Sequence, residues 1–231
     1  MRADGALGTE LLAKGATHPV DRMNLERPDV VLALHREYVA AGAQLIRTNT
    51  FNAKPGVPDW RRLIREGVRL AREAGAAKPL GSIGPGEGTA AAAAALVEEG
   101  CFGVVLETFT DPDALASAVK AAKPFGPVIA LMTVLDPNLD VERAVRELER
   151  AGAFAVGVNC MPPKEAAPVL VRMRGATSLP LWALTSAGKP GACLEPECWA
   201  GAAARLPGVS VLGGCCGAGP AHLAALRHKF A

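Results

Sequence analysis

The chain has 231 residues, half of them hydrophobic, with 25 Lys and Arg against 23 Asp and Glu for a formal charge of +2. That length suits one domain with a full apolar core, residues 1–231. The balanced charge excludes a surface built mainly to neutralise phosphates, so nucleic acid is not an expected partner. No stretch approaches the roughly 18 consecutive apolar residues of a membrane span, and the N-terminal MRADGALGTELLAKG lacks the apolar segment of a secretory signal. A cytoplasmic chain without membrane contact is therefore expected, and its six cysteines read as free thiols or metal ligands rather than as a disulfide framework.

In chain order, eight short runs rich in β-branched and apolar residues alternate with helix-like stretches. The runs are Met1 to Gly5, Gln44 to Phe51, Pro79 to Pro85, Phe102 to Phe109, Pro127 to Val134, Phe154 to Cys160, Leu179 to Ser186 and Val209 to Cys216. The first is the shortest. Between them, Pro28-Asp29, Pro58-Asp59 and Asp111-Pro112-Asp113 open helices, and Gly42, Gly75, Gly100 and Gly152 sit where the glycine after a helix end is expected. Further helices are expected at Thr89 to Glu99, which is rich in Ala, and at Asp140 to Arg150, Lys164 to Arg174, Glu195 to Arg205 and Pro220 to Phe230.

Strands that are apolar throughout, each followed by a crossover helix, imply a parallel sheet covered by helices, and eight in succession imply a compact (β/α)8 TIM barrel. The competing architecture is an open doubly wound sheet, whose G-x-G-x-x-G turn after the first strand is absent.

In a barrel the site lies at the C-terminal strand ends. Those ends offer Asp4, Thr48 and Asn49, Ser82, Glu107 and Thr108, Met132 and Thr133, Asn159 and Cys160, Thr185 and Ser186, then Cys215 and Cys216. Three thiolates converging from the sixth and eighth runs make a zinc arrangement, with a fourth position open to substrate. Neighbouring side chains on a strand face opposite ways, so Cys215 and Cys216 reach one metal only if the backbone turns there, which the flanking glycines permit. Inert core thiols, or a vicinal Cys215–Cys216 disulfide, remain alternatives. Cys101 reads as core, and Cys193 and Cys198 could form a second metal site. Asp4 and Glu107 can hold an ammonium, ligate a metal or carry out acid–base work, and Asp4 can instead cap the turn that follows it. The histidines, His18, His35, His222 and His228, fall outside the strand ends and read as surface or packing residues.

The ordered motifs Asp4-Gly5-Ala6-Leu7-Gly8-Thr9, Thr48-Asn49-Thr50-Phe51, Gly81-Ser82-Ile83-Gly84-Pro85, Glu107-Thr108, Gly157-Val158-Asn159-Cys160 and Gly213-Gly214-Cys215-Cys216-Gly217 resemble those of the zinc-dependent homocysteine S-methyltransferases. That family includes betaine–homocysteine methyltransferase and the homocysteine-binding module of cobalamin-dependent methionine synthase. The resemblance implies a barrel in which Cys160, Cys215 and Cys216 hold zinc, Asp4 and Glu107 take the homocysteine ammonium, and the backbone N–H groups of Gly5 and Ala6 take its carboxylate. It also implies methyl transfer from a small molecule or a corrinoid protein, giving methionine. Two departures stand out. Ser186 replaces an Asn that serves relatives as a neutral zinc ligand, and the stretch from Gly84 to Glu107 is compressed to an Ala-rich helix where relatives build the donor side.

Rival readings are a lyase or aldolase barrel, which lacks a strand-end Lys for Schiff-base chemistry, and a non-catalytic or redox thiol barrel that has lost donor recognition.

Overall fold

The computed structural model of the chain describes residues 1–189 and 191–229. Its central feature is a six-stranded, all-parallel sheet. The strands are β1 (Leu80–Ile83), β2 (Gly103–Phe109), β3 (Val128–Met132), β4 (Ala155–Asn159), β5 (Leu181–Thr185) and β8 (Val209–Gly214), in the order β1-β2-β3-β4-β5-β8. Between β5 and β8 lies a short antiparallel hairpin, β6 (Gly188–Lys189) with β7 (Ala192–Cys193), which the periodicity did not anticipate.

The first two expected strands carry only isolated parallel bridges: Arg2 pairs with Leu212, Ala3 with Leu45, and Arg47 with Leu80. Residues 2–4 and 45–48 thereby link one edge of the sheet at β8 to the other at β1. The Ala3 N–H donates to the Leu212 carbonyl at 2.7 Å, the Asp4 N–H to Leu45 at 2.9 Å, and the Thr48 N–H to Leu80 at 2.9 Å. Each segment is too brief for a continuous ladder, because Gly5 and the polar Thr48-Asn49 turn follow within a few residues. The sequential strand order contains no reversal, which excludes the doubly wound alternative with its switch point.

The helices are α1 (Leu7–Ala13), α2 (Met23–Glu26), α3 (Pro28–Ala40), α4 (Trp60–Glu73), α5 (Thr89–Glu98), α6 (Pro112–Ala122), α7 (Val141–Ala151), α8 (Pro163–Ala176), α9 (Pro196–Ala203) and α10 (Pro220–Lys229). Local chemistry explains several boundaries. The Asp111 carboxylate caps α6, accepting from the Asp113 N–H at 2.9 Å with Pro112 in the first turn. Gly42, Gly75, Gly100 and Gly152 all adopt left-handed φ between 95° and 114°, as expected after helix ends. At α4 the expected Asp59 cap fails: Asp59 is itself left-handed, at φ 59°, and its side chain makes no capping bond. Two short helices, α1 and α2, were not anticipated, and Phe230 of the expected last helix lies outside the described residues.

Alternating strand residues divide the core in two. One set, including Val104, Leu106, Val128, Ala130, Val156, Val158 and Leu212, packs under the helices in the main cluster. The other set, Ala3, Leu80, Val105, Ile129, Leu131, Ala155, Trp182, Leu184 and Val211 with Leu45 beside them, forms a separate cluster on the face away from the helices. Both faces of β1 to β5 and of the C-terminal part of β8 are thus buried, which is why the runs read as continuously apolar. The polar strand-end residues are left in one layer beyond β1 to β8.

Candidate functional site

The strand ends enclose a cavity of about 480 Å³ lined by Arg47, Thr48, Ser82, Glu107, Thr108, Cys160, Cys215 and Cys216, with Leu7, Leu12, Val20 and Phe51 on its apolar side. The cysteines arrive by two backbone devices. Cys160 follows β4 directly in a left-handed conformation, φ 58°, and Thr108 at the end of β2 has φ 68° where the β2–β3 register slips. Non-glycine residues held there are strained, and such strain gathers at functional sites. On β8 the glycines act by allowing close approach. A methyl added at Gly213 would lie 2.8 Å from the Asp4 carbonyl, and one at Gly214 would lie 2.6 Å from Ala218 Cβ. The left-handed turn itself falls one residue past the pair, at Gly217 with φ 74°.

The sulfurs of Cys160, Cys215 and Cys216 lie within 4.8 Å of one another, and among the described residues they form the one such cluster with metal-ligating potential. The Cys160 and Cys215 sulfurs are in contact, with Cα atoms 5.3 Å apart, and Cys216 Sγ stands 4.0 Å from Cys215 Sγ. The contact brings the end of β4 to the end of β8. In the reduced protein the donor set fits zinc: a tetrahedral sulfur site at about 2.3 Å per bond places its sulfurs about 3.8 Å apart, close to the Cys215–Cys216 spacing. Asn159 orients Cys160. Its Nδ2 donates to Cys160 Sγ at 3.5 Å and to Thr108 Oγ1 at 3.2 Å, while its Oδ1 accepts from the Thr108 N–H at 3.1 Å and from Thr133 Oγ1 at 3.2 Å. Such supporting bonds hold a ligand in register. Ser186 does not face the sulfurs with a free hydroxyl; its Oγ donates to the Cys216 carbonyl at 3.0 Å and accepts from the Gly188 N–H at 3.1 Å.

Asp4 and Glu107 converge, but on a residue that sequence reasoning passed over. Arg47 is 5% exposed; its Nε donates to Asp4 Oδ1 and its Nη1 to Glu107 Oε2, both at 2.7 Å. Its Nη2 donates to the Gly5 carbonyl at 2.6 Å and to the Gly214 carbonyl at 3.0 Å, and its own N–H donates to Asp4 Oδ2 at 2.8 Å. Burial opposes the guanidinium charge, but the Asp4 and Glu107 carboxylates more than offset it and hold the Arg47 pKa above its ordinary value. Asp4 is fully buried, and desolvation raises its pKa in spite of Arg47. Ser82 Oγ donates to Glu107 Oε1 at 2.5 Å. The Ala6 N–H donates to the Ala218 carbonyl at 3.0 Å, so it is not free for a ligand carboxylate. The signal for Arg47 was its place as the lone charge within the run QLIRTNTF; counting the strand end from Thr48 missed it.

The remaining residues divide as follows. Cys101 is buried, and desolvation pushes its thiol up to about 12. Cys193 and Cys198 are exposed, and no second metal cluster forms around them among the described residues. His18 lines the cavity, which the sequence did not indicate, whereas His35 is fully buried. His222 packs its ring edge-on against Trp199 at 5.7 Å. Among the described residues no helix is long and apolar enough to cross a membrane.

Comparison with known proteins agrees with this geometry. The chain is 30% identical to the methionine synthase of Mycobacterium tuberculosis and 29% to that of Mycobacterium leprae, the alignments covering 96% of this chain but only 24% of each relative. It is 26% identical to the homocysteine S-methyltransferase of Escherichia coli over 98% of this chain and 94% of that protein. The apo crystal structure of the Escherichia coli homocysteine methyltransferase MmuM superposes with a TM-score of 0.80 at 26% identity, over 99% of this chain and 95% of that one. The family profile described as homocysteine S-methyltransferase matches residues 2–230, and with this coverage the chain belongs to the homocysteine S-methyltransferase family.

Proposed function

We propose that the chain catalyses zinc-dependent transfer of a methyl group to the thiol of homocysteine, giving methionine, in a compact (β/α)8 barrel domain over residues 1–231 of a cytoplasmic protein. The observation that carries this reading is the convergence of Cys160, Cys215 and Cys216 in a cavity walled by Glu107, in a member of this family. Support for ring closure comes from the bridges of residues 2, 3, 45 and 47.

Cys160, Cys215 and Cys216 would hold the zinc, which would supply the deprotonation and anchoring of the acceptor thiol that a free thiol near pKa ~8.5 lacks at neutral pH. The chain's own residues do the rest. Asn159 and Thr108 fix the Cys160 sulfur, the backbone bond from the Cys215 N–H to the Thr185 carbonyl at 2.8 Å fixes the opposite ligand, and Leu7, Leu12, Val20 and Phe51 keep water from the acceptor sulfur. The acceptor thiol releases its proton to solvent, and its sulfur forms the new S–CH3 bond as the donor's bond to that methyl breaks. The donor retains the bonding pair, and the enzyme forms no covalent intermediate. Orientation and dehydration are the catalytic contributions of the fold.

The donor is a small molecule or a corrinoid protein. The match to a quarter of each mycobacterial methionine synthase, 24% of its length, supports a module that works with a methyl-carrying partner. The competing reading, a non-catalytic or redox zinc/thiol barrel that has lost donor recognition, rests on the same sulfur cluster.

Zinc analysis of reduced protein separates the two. One zinc per chain, lost in Cys160→Ser, together with methionine formation from betaine, S-methylmethionine or methylcobalamin, is the expected result. A folded, reduced parent that takes up no zinc discards the methyltransferase reading.

A further inference from the structure

The two carboxylates that family membership assigns to an amino-acid ammonium are already joined by a cation of the protein. Arg47 spans them, with 2.7 Å bonds to Asp4 and to Glu107. Four of its five N–H groups are used, the other two on the Gly5 and Gly214 carbonyls. Asp4 is 0% exposed and sits behind Arg47, so it is the guanidinium that meets the cavity. Glu107 does reach the cavity, but one of its oxygens accepts from Arg47 and the other from Ser82. A ligand ammonium arriving here meets one carboxylate that is already bonded at both oxygens, next to a fixed positive charge. The attraction of Glu107 and the repulsion of Arg47 then oppose each other at similar range. The Ala6 N–H, a candidate for the ligand carboxylate, is likewise occupied by the Ala218 carbonyl.

We infer that Arg47 is a specificity-determining residue that takes the place of the acceptor's α-ammonium, so that this chain accepts alkyl thiols lacking that ammonium as readily as homocysteine. The inference rests on the acceptor site proposed above, and it narrows the recognition to the thiol and the alkyl chain beside Phe51 and Val20. Among the described residues lining the cavity, Glu107 is the only carboxylate, so none is left over to select the amine.

The test is direct binding of two thiols to the reduced, cobalt(II)-loaded chain, read from the thiolate-to-cobalt charge-transfer band. The probes are homocysteine and 4-sulfanylbutanoate, which differ only in the ammonium. A charge-assisted ammonium contact contributes about tenfold or more in affinity. The expected result for the parent is that both thiols bind with dissociation constants within about threefold of each other. Homocysteine binding at least about tenfold more tightly would overturn the inference while leaving the methyltransferase reading intact. If neither thiol changes the band, the acceptor site itself is wrong and the inference falls with it. In Arg47→Met, which frees both carboxylates, the preference for homocysteine is expected to open to about tenfold, and an unchanged ratio in a folded variant counts against Arg47. Should that variant not fold, the comparison in the parent still decides.

Discussion

Replacing His35 with Leu tests how a buried, unpartnered imidazole shapes stability. His35 is fully buried on α3, and neither of its ring nitrogens has a hydrogen-bond partner. Desolvation, with the Arg47 charge adding to it, lowers its pKa from 6.5 to about 4. The unfolded chain therefore takes up a proton between these values that the folded chain refuses. The stability contribution is complete above about pH 6.5 and is lost as pH falls toward 4. At 1.36 kcal/mol per pKa unit the full shift amounts to about 3 kcal/mol, of which about 2 kcal/mol is already lost by about pH 5. Urea unfolding of parent and His35→Leu at about pH 7.5, 6 and 5 reads the difference directly. The variant is expected to lose about 2 kcal/mol less than the parent across that range, and to fall within about 1 kcal/mol of it at neutral pH, since the lost imidazole made no bonds. Parallel stability curves for the two proteins would refute the argument.

Asp21 supplies the opposite slope: burial raises its carboxyl to about 6, Oδ2 accepts from the Asn52 N–H at 3.1 Å and Oδ1 has no partner. The folded chain holds a proton that the unfolded chain releases between 3.8 and about 6, so stability falls as pH rises through that window. Asp21→Asn is expected to gain up to about 3 kcal/mol over the parent above about pH 7, with the gain vanishing near pH 4, again by urea unfolding. Gly214→Ala places a methyl 2.6 Å from Ala218 Cβ and 3.0 Å from Gly5 Cα. It should cost about 1–3 kcal/mol and weaken zinc uptake by shifting Cys215 and Cys216, measured by thermal unfolding and metal titration. A variant of native stability with full zinc would contradict the close-approach role of this glycine.

The alternation of apolar runs and helix signals was enough to read an α/β chain with a parallel sheet, because strands covered on both faces carry little else than apolar residues. Helix ends at Gly42, Gly75, Gly100 and Gly152 were legible for the same local reason: the left-handed turn favours a residue without a side chain. The cysteines at 160, 215 and 216 were legible as a set because strand ends share one layer, and the structure brings their sulfurs within 4.8 Å.

Other features depend on which side chains meet after folding. The pattern LIRTNTF shows a charge in an apolar run, but whether Arg47 points to solvent, to a ligand or to two carboxylates from segments 43 and 60 residues away is settled only by the ring of strand ends. The approach of Cys160 to Cys215, 55 residues apart in sequence, depends on β4 and β8 flanking β5. His35 read as a surface or packing residue, and that it is buried with neither ring nitrogen partnered emerges only when α3 packs against α1 and α4. Local propensity acts over a few residues, whereas charge compensation and burial are sums over neighbours that only the tertiary structure brings together.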